Sequence, residues 1–224
     1  MVCLCSSLFF LGLYQFNNKY SQNTIQAANG ILALSEEELQ KSPVRFLVSG
    51  WAFYPDALLT PEEIQDESHY MRYLSIGEQT NFSSPANPSP YGCGTYQMTF
   101  FLPERKETYA LEIPEVFSAY NLYLDHDLIL QMGEPAQGTP LVQNRMVTFH
   151  GGKPVTLTIA VSNYDHFYGG IVYPPAFGTM LAVNTTRGIR FAFCLFSCTV
   201  TFVCALLSFY FSRRMKQKNT FLFG

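Results

Sequence analysis

The chain has 224 residues, of which 48% are hydrophobic and only 14% are charged, with a formal net charge of −3. This apolar excess is high for a soluble domain, and it lies at the two ends of the chain. All 17 acidic residues and eight of the 14 basic ones fall within residues 20–188. An acidic middle segment argues against nucleic acid as a partner. Cys93 is the only cysteine of that segment, which excludes an internal disulfide there.

The N-terminal end is short for a membrane span. Residues 1–18 carry no charge, and residues 8–16 are strongly apolar. The basic stretch that precedes the core of a signal peptide is absent. We therefore predict an N-terminal anchor over residues 1–19, either an uncleaved signal or part of a transmembrane helix.

Two short helices are predicted from capping motifs. Ser35 and Glu38 form a capping box, in which the serine accepts from first-turn amides and the glutamate reaches back. Thr60 and Glu63 repeat this pattern, with Pro61 at the first helical position. The first helix should precede the strands, and the second should lie in a connection between them.

Strand patterns dominate from residue 44 onward, because Val, Ile, Tyr, Phe and Thr alternate with clusters of Pro, Gly, Asn and Asp. The predicted strands cover residues 44–54, 95–102, 109–113, 119–124, 128–132, 155–162 and 171–182. Residues 122–130 should form a hairpin that turns at Asp125 and His126, and residues 81–94 an irregular loop. No long amphipathic helix is evident between residues 20 and 188. The predicted fold class is mostly β, an antiparallel jelly-roll β-sandwich followed by a transmembrane α-helix.

The C-terminal end contains a run of 22 uncharged residues at 191–212. A bilayer core about 30 Å thick needs roughly 20 helical residues, so we predict a transmembrane helix over residues 189–212. Arg213, Arg214, Lys216 and Lys218 follow it, and basic residues beside a span tend to stay cytoplasmic. The expected location is the cell membrane, with the domain of residues 20–188 extracellular. Residues 213–224 should be a cytoplasmic basic loop and the start of a second membrane helix.

A loop at residues 163–170 concentrates hydrogen-bonding and aromatic side chains after a clear strand. Sugars are bound by that combination, with polar groups for hydroxyls and rings for apolar faces. The alternative is structural: the polar side chains bond the loop's own backbone and the rings fill the core. The candidate ligand-binding residues, each with the same two interpretations, are Trp51, Tyr120, Asn121, Asn163, His166 and Tyr168. If Asn163 and His166 line a ligand site, their replacement should weaken binding without lowering stability.

Motifs for catalysis are absent from the sequence. It has no glycine-rich phosphate loop, no nucleophile elbow and no paired Cys/His site, and its four histidines are scattered. We therefore expect no catalytic residue, no metal and no cofactor in this chain. The expected partners are a lipid membrane, a small-molecule or carbohydrate ligand, and a second copy in a homodimer.

Five short motifs occur in a fixed order: GWAFY at 50–54, GTY at 94–96, YALEIP at 109–114, SAYNLYL at 118–124 and VSNYDHFYGG at 161–170. Over residues 30–178 this order resembles the extracellular jelly-roll domain of bacterial sensors that carry a seven-helix diverse-intracellular-signalling membrane module. It is also similar to the galactose-binding-like jelly rolls attached to glycosidases. Related jelly rolls often have Asn-Gly at the hairpin tip, where this chain has Asp125 and His126.

The resemblance implies the sensory input part of a membrane receptor. Its outer domain would bind a carbohydrate or another small ligand, and its membrane module would signal to a cytoplasmic output, either a histidine kinase or a diguanylate cyclase. One alternative is a membrane-anchored carbohydrate-binding or adhesion module without an output. Another is an anchored glycosidase, for whose catalytic domain this chain has no room.

Overall fold

The computed structural model describes residues 8, 11–12, 26–66, 69–77, 82, 89–104 and 108–215. Apart from Leu8, Leu11 and Gly12, the predicted N-terminal anchor lies outside the described residues. The predicted start of a second membrane helix after residue 215 also lies outside them. The chain divides into two compact units, Met1–Val183 and Asn184–Gly224.

The described residues form eleven strands and three helices. The strands are β1 (Ile31–Ala33), β2 (Val44–Phe46), β3 (Trp51–Pro55), β4 (Arg72–Leu74), β5 (Gly92–Phe101), β6 (Thr108–Ile113), β7 (Ala119–Leu124), β8 (Asp127–Met132), β9 (Arg145–His150), β10 (Val155–Asn163) and β11 (Ala176–Thr179). The helices are α1 (Glu36–Lys41), α2 (Pro61–Asp66) and α3 (Met180–Met215). Both predicted short helices are confirmed. The capping box of α1 is present, since the Ser35 amide donates to the Glu38 carboxylate at 2.6 Å.

The strands form two sheets. The large sheet has seven strands, six of them in the order β4-β3-β5-β10-β7-β8, and β1 pairs in parallel with the last residues of β5. The small sheet has four strands in the order β2-β11-β6-β9. All other pairings are antiparallel. The predicted antiparallel β-sandwich followed by a long apolar helix is therefore confirmed.

The core lies between the two sheets and follows the alternation of a half-buried strand. Along β5, Met98 and Phe100 are fully buried, whereas Gln97 is half-exposed on the other face of the sheet. Phe100 stacks on Phe177 of the small sheet, with ring centroids 5.1 Å apart. Phe177 also stacks on Tyr109, at 5.8 Å. The first contact joins the two sheets at the centre of the sandwich, and the second extends the ring packing along the small sheet.

The strand predicted over residues 44–54 is wrong in its length. The chain forms β2 in the small sheet, leaves it at Leu47, and enters the large sheet as β3 at Trp51. Gly50 lies at this crossing with φ +81°, and a Cβ there would collide with the Ala27 carbonyl oxygen. The crossing therefore needs a glycine. Apolar residues lie on both sides of it, at 46–48 and 51–54, so the sequence reads as one strand and does not show the change of sheet.

The strand predicted over residues 171–182 is also too long. Only Ala176–Thr179 is a strand, and α3 begins at the next residue. Pro174 and Pro175 have no backbone N–H to donate to a ladder, which delays the start of β11. At the other end, the Thr179 hydroxyl accepts from the Ala182 amide at 3.3 Å and so begins the helix.

The hairpin of β7 and β8 is confirmed, with Asp125 and His126 as its two turn residues. Asp125 has φ +54°, a conformation that aspartate tolerates better than most residues. A register irregularity follows at Ile129 on β8.

The predicted loop over residues 81–94 is corrected at its end, because Gly92–Gly94 pair with β10 as the start of β5. Three strands, β1, β4 and β9, were not predicted.

Helix α3 has 36 residues and contains the predicted span over residues 189–212. Its segment Met180–Phe211 is long and apolar enough to cross a membrane, with a mean hydropathy of 2.2 over its most apolar window. Its side chains in that segment are largely exposed, as a surface facing lipid would be. Length and composition thus indicate association with a membrane.

Candidate functional site

The loop that follows β10 is held in shape by Asn163, the last residue of that strand. The Asn163 side chain is fully buried. Its Nδ2 donates to the carbonyl oxygens of Pro90, at 2.8 Å, and His166, at 2.5 Å. Its Oδ1 accepts from the His166 amide at 3.1 Å. The amide group therefore bonds only backbone groups, two of them within the loop and one at Pro90 beside it.

The far end of the loop is fixed by two glycines. A Cβ at Gly169 would collide with the Pro90 carbonyl oxygen, and Gly170 has φ +78°. The Gly170 amide donates to the buried Ser118 hydroxyl at 3.1 Å. The loop thus returns to the core over a short distance, and its intervening side chains point away from it.

Four side chains at this end of the sandwich form a continuous stack of rings, which we call the ring row: Phe117, His166, Phe167 and Tyr168. The His166 ring stacks on Phe117, with centroids 4.7 Å apart and planes 12° apart. It also stacks on Phe167 at 4.5 Å, and Phe167 lies 4.2 Å from Tyr168. Phe167 is 63% exposed, so much of its ring is open to solvent.

The tautomer of His166 follows from its neighbours. The Tyr168 amide donates to His166 Nδ1 at 3.1 Å, so Nδ1 carries no proton in the neutral ring. The remaining proton is on Nε2, which is a donor. The ring row therefore combines exposed aromatic faces with one oriented N–H group, and this pairing suits a ligand that has both apolar faces and hydroxyl oxygens.

Two predicted site residues, Trp51 and Tyr120, lie in the core. Trp51 is fully buried, its Nε1 donates to the Leu47 carbonyl oxygen at 2.9 Å, and its ring makes an edge contact with Tyr96. Tyr120 is 1% exposed, and its hydroxyl has no hydrogen-bond partner among the described residues. A ligand on the surface would not touch either ring.

The two buried phenols Tyr96 and Tyr120 predict a loss of stability in alkali. Burial raises the pKa of each to about 12, whereas an unfolded tyrosine titrates near 10. Their contribution is complete below pH 10 and is lost as pH rises from about 10 to about 12, by about 2.7 kcal/mol per group in all. Urea unfolding at pH 8 and at pH 11 should therefore differ by about 1.4 kcal/mol per group, because pH 11 lies halfway through this range. The variant Tyr120→Phe should lose less stability between these pH values, and at neutral pH it should be as stable as the parent. A large loss at neutral pH would contradict an unpartnered hydroxyl.

Asn121 lies apart from the loop, on the outer face of the large sheet. It is partly exposed on β7, opposite Ala160 of β10. The structure therefore brings together Asn163, His166 and Tyr168 but neither Asn121 nor the two core residues. Phe117 and Phe167 belong to the ring row but were not among the predicted site residues. Phe117 could not have been found, because its contact with His166 spans 49 positions and only the fold creates it.

No cluster of His, Cys, Asp or Glu within the described parts of the chain could hold a metal ion.

No protein-family model matches the sequence, and no match was found among curated proteins. Solved structures with a partial likeness include a Faecalibacterium prausnitzii β-glucuronidase, with 17% identity and a TM-score of 0.44, over 62% of this chain and 32% of that one. Another is a β-galacturonidase of glycosyl hydrolase family 2 from Eisenbergiella tayi, with 14% identity and a TM-score of 0.43, over 60% of this chain and 24% of that one.

A third is a family 2 glycosyl hydrolase from Bacteroides cellulosilyticus, with 12% identity and a TM-score of 0.49, over 61% of this chain and 20% of that one. This chain therefore spans a third or less of the length of these proteins. Identities and scores this low assign no activity, so the function has to follow from the residues of this chain.

Proposed function

We propose that the chain is the sensory input part of a membrane receptor and that its β-sandwich binds a carbohydrate at the ring row. The observation that carries this proposal is the exposed stack of Phe167, Tyr168 and His166 on a loop that Asn163 holds in one shape. A fixed loop lowers the entropic cost of binding. The apolar face of a sugar ring would stack on Phe167, and a ring or hydroxyl oxygen would accept from His166 Nε2.

A route from ligand to membrane is supported by the junction of β11 and α3. Strand β11 is an inner strand of the small sheet, between β2 and β6, and no residue separates Thr179 from the first helical residue, Met180. The first helical turn belongs to the sandwich unit, where Val183 is 1% exposed. A displacement of β11 would therefore be passed to the start of the helix without a flexible linker. Ligand binding can act on a receptor in this way if it favours one position of the strand.

The placement of the domain completes the proposal. An acidic sandwich and a basic flank after the apolar helix favour an extracellular domain and a cytoplasmic C-terminus. The output would be a histidine kinase or a diguanylate cyclase, in a homodimer. The ligand-binding part of the proposal does not depend on which of the two outputs is present.

Replacing Phe167 by alanine tests the carbohydrate site. We expect binding of the preferred sugar to weaken about tenfold or more, which corresponds to about 1.4 kcal/mol, because a stacking face is lost. Stability should be unchanged, since this ring is 63% exposed. Isothermal titration of the chain in lipid nanodiscs against a panel of mono- and oligosaccharides shows which sugar the parent chain prefers. The same titration of the variant measures its loss of affinity.

The matched control is Tyr73→Ala, which removes another exposed ring, 49% accessible and on the edge strand β4. It should bind like the parent chain. The proposal would be wrong if no sugar binds the folded parent chain, or if Phe167→Ala and Tyr73→Ala bind equally well.

A further inference from the structure

A second concave site lies on the outer face of the large sheet, away from the ring row. It is a cleft of about 400 Å³, a size at which small-molecule sites begin. Its floor is formed by outward-facing side chains of three strands, β7, β8 and β10. The floor residues are Asn121, Tyr123, Gln131 and Ala160. Residues 58–60 form one wall, and residues 134–136 form the other.

The first wall belongs to a segment that we call the strap, residues 56–66, which includes α2. Near its start, Thr95 of β5 holds it twice: Oγ1 accepts from the Leu59 amide at 2.9 Å and donates to the Ala57 carbonyl oxygen at 2.8 Å. Further along, Glu62 pairs with His126 at the hairpin tip, at 2.8 Å. The strap is thus bonded to the large sheet at two places, β5 and the β7–β8 turn.

The second wall is equally fixed. Residues 134–139 close a turn in which the Glu134 amide donates to the Thr139 carbonyl oxygen at 2.9 Å. The Pro135 carbonyl oxygen accepts from the buried Ser162 hydroxyl at 2.5 Å. Both walls therefore exist before any ligand arrives, and a preformed cleft binds at a lower entropic cost.

The floor contains an amide that the described residues do not satisfy. Among them, Asn121 Oδ1 is buried without a hydrogen-bond partner, and Asn121 Nδ2 reaches only the Tyr123 hydroxyl, at 3.5 Å. Unpaired buried polar groups are uncommon in native proteins. Rotation about χ2, which is a broad torsion, can turn either end of the amide towards the cleft. A ligand hydroxyl could pair with either end, because it both donates and accepts.

The charge of the cleft restricts its ligand further. Among the described residues that line it there is no Lys, Arg or His, and Glu134 supplies a carboxylate at the rim. Nothing there would neutralise an anionic ligand, whose desolvation would remain uncompensated. The apolar side chains of Leu58, Leu59 and Pro135 suit the carbon skeleton of a small ring.

We propose that this cleft is a second binding site, separate from the ring row, for a small uncharged polyhydroxylated molecule of monosaccharide size. The Asn121 amide, with Tyr123 and Gln131, bonds its hydroxyl groups. Leu58 and Pro135 enclose its carbon atoms, and Glu134 excludes acidic sugars. The site depends on the sheet face and the strap, so it stands whether or not the ring row binds carbohydrate.

Titration of the chain in lipid nanodiscs with glucose, galactose, N-acetylglucosamine and glucuronate at millimolar concentration tests this proposal. We expect at least one of the three neutral sugars to bind, and glucuronate to bind at least about tenfold more weakly. Asn121→Leu, which keeps the branched shape of the side chain but removes its hydrogen-bonding groups, and Ala136→Trp, which fills the cleft from an exposed position, should each weaken binding of the neutral sugar about tenfold or more. Tyr73→Ala, which removes an exposed ring from the edge strand β4, should leave this binding unchanged.

Three results would overturn the second site: no binding by any neutral sugar, equal binding of glucuronate, or full binding by both Asn121→Leu and Ala136→Trp. Loss of all binding in Phe167→Ala would also overturn it, while supporting the ring row. Circular dichroism of each variant shows whether the sandwich has folded. If one cleft variant does not fold, the other decides the outcome.

Discussion

Replacing Trp51 by alanine will lower the free energy of unfolding by about 3–5 kcal/mol, the range for deleting a large buried aromatic side chain. Trp51 is fully buried, its indole N–H is bonded to the Leu47 carbonyl oxygen, and its ring contacts Tyr96 in the core. Alanine would leave a cavity and an unpaired carbonyl at the point where the chain enters the large sheet. Urea unfolding followed by far-ultraviolet circular dichroism measures the loss. Tryptophan fluorescence cannot be used, because the variant lacks the only tryptophan of the chain.

The matched variant is Trp51→Phe, which keeps most of the ring and removes only the N–H donor. Its free energy of unfolding should fall by roughly 1–2 kcal/mol, because one hydrogen bond is lost and a smaller cavity is left. If Trp51→Ala were nearly as stable as the parent chain but failed to bind sugar, the tryptophan would be a ligand platform and not part of the core.

Asn163→Ala should cost about 2–4 kcal/mol of stability and also weaken carbohydrate binding. The side chain is fully buried and makes three hydrogen bonds, to Pro90 and twice to His166. Each buried partner that is left unpaired costs about 1–3 kcal/mol. The ring row would lose affinity indirectly, because the loop that carries it would no longer hold one conformation. Thermal unfolding and sugar titration of the same sample measure the two effects together.

His166→Ala distinguishes direct contact with the ligand from support of the loop. It removes the Nε2 donor and a ring of the ring row but leaves all three Asn163 bonds, which go to the backbone of Pro90 and His166 and not to the imidazole. Binding should weaken while the melting temperature changes little. An Asn163→Ala variant with unchanged stability would contradict the supporting role and return Asn163 to the list of direct ligand contacts.

Local signals in the sequence were enough to predict α1, α2 and the β7–β8 hairpin. Each depends on residues within a few positions of one another, such as Ser35 with Glu38, or Asp125 at the turn. Strand boundaries were less accurate where the chain changes sheets. Gly50 marks such a crossing, and apolar residues lie on both sides of it because both sides are buried.

The six-residue strand β9 was missed although its length is ordinary. The strands β1 and β4 were missed because they are short: each has only three residues, and β1 pairs in parallel with a segment 68 positions away. A run of three residues carries almost no periodicity. Its pairing is decided by the position of β5, which is a property of the folded sheet.

The sequence alone determined the class of this protein: a β-sandwich, acidic in charge, next to an apolar segment long enough to cross a membrane. Composition and period-two alternation are sums over many residues, so they tolerate local errors. Only the tertiary structure separated Trp51, Tyr120 and Asn163, which are buried, from His166 and Tyr168, which lie in the ring row. Polar and aromatic residue types are equally suited to a core or to a ligand site. Which role each takes depends on contacts between distant segments, such as Phe117 against His166, that no local pattern encodes.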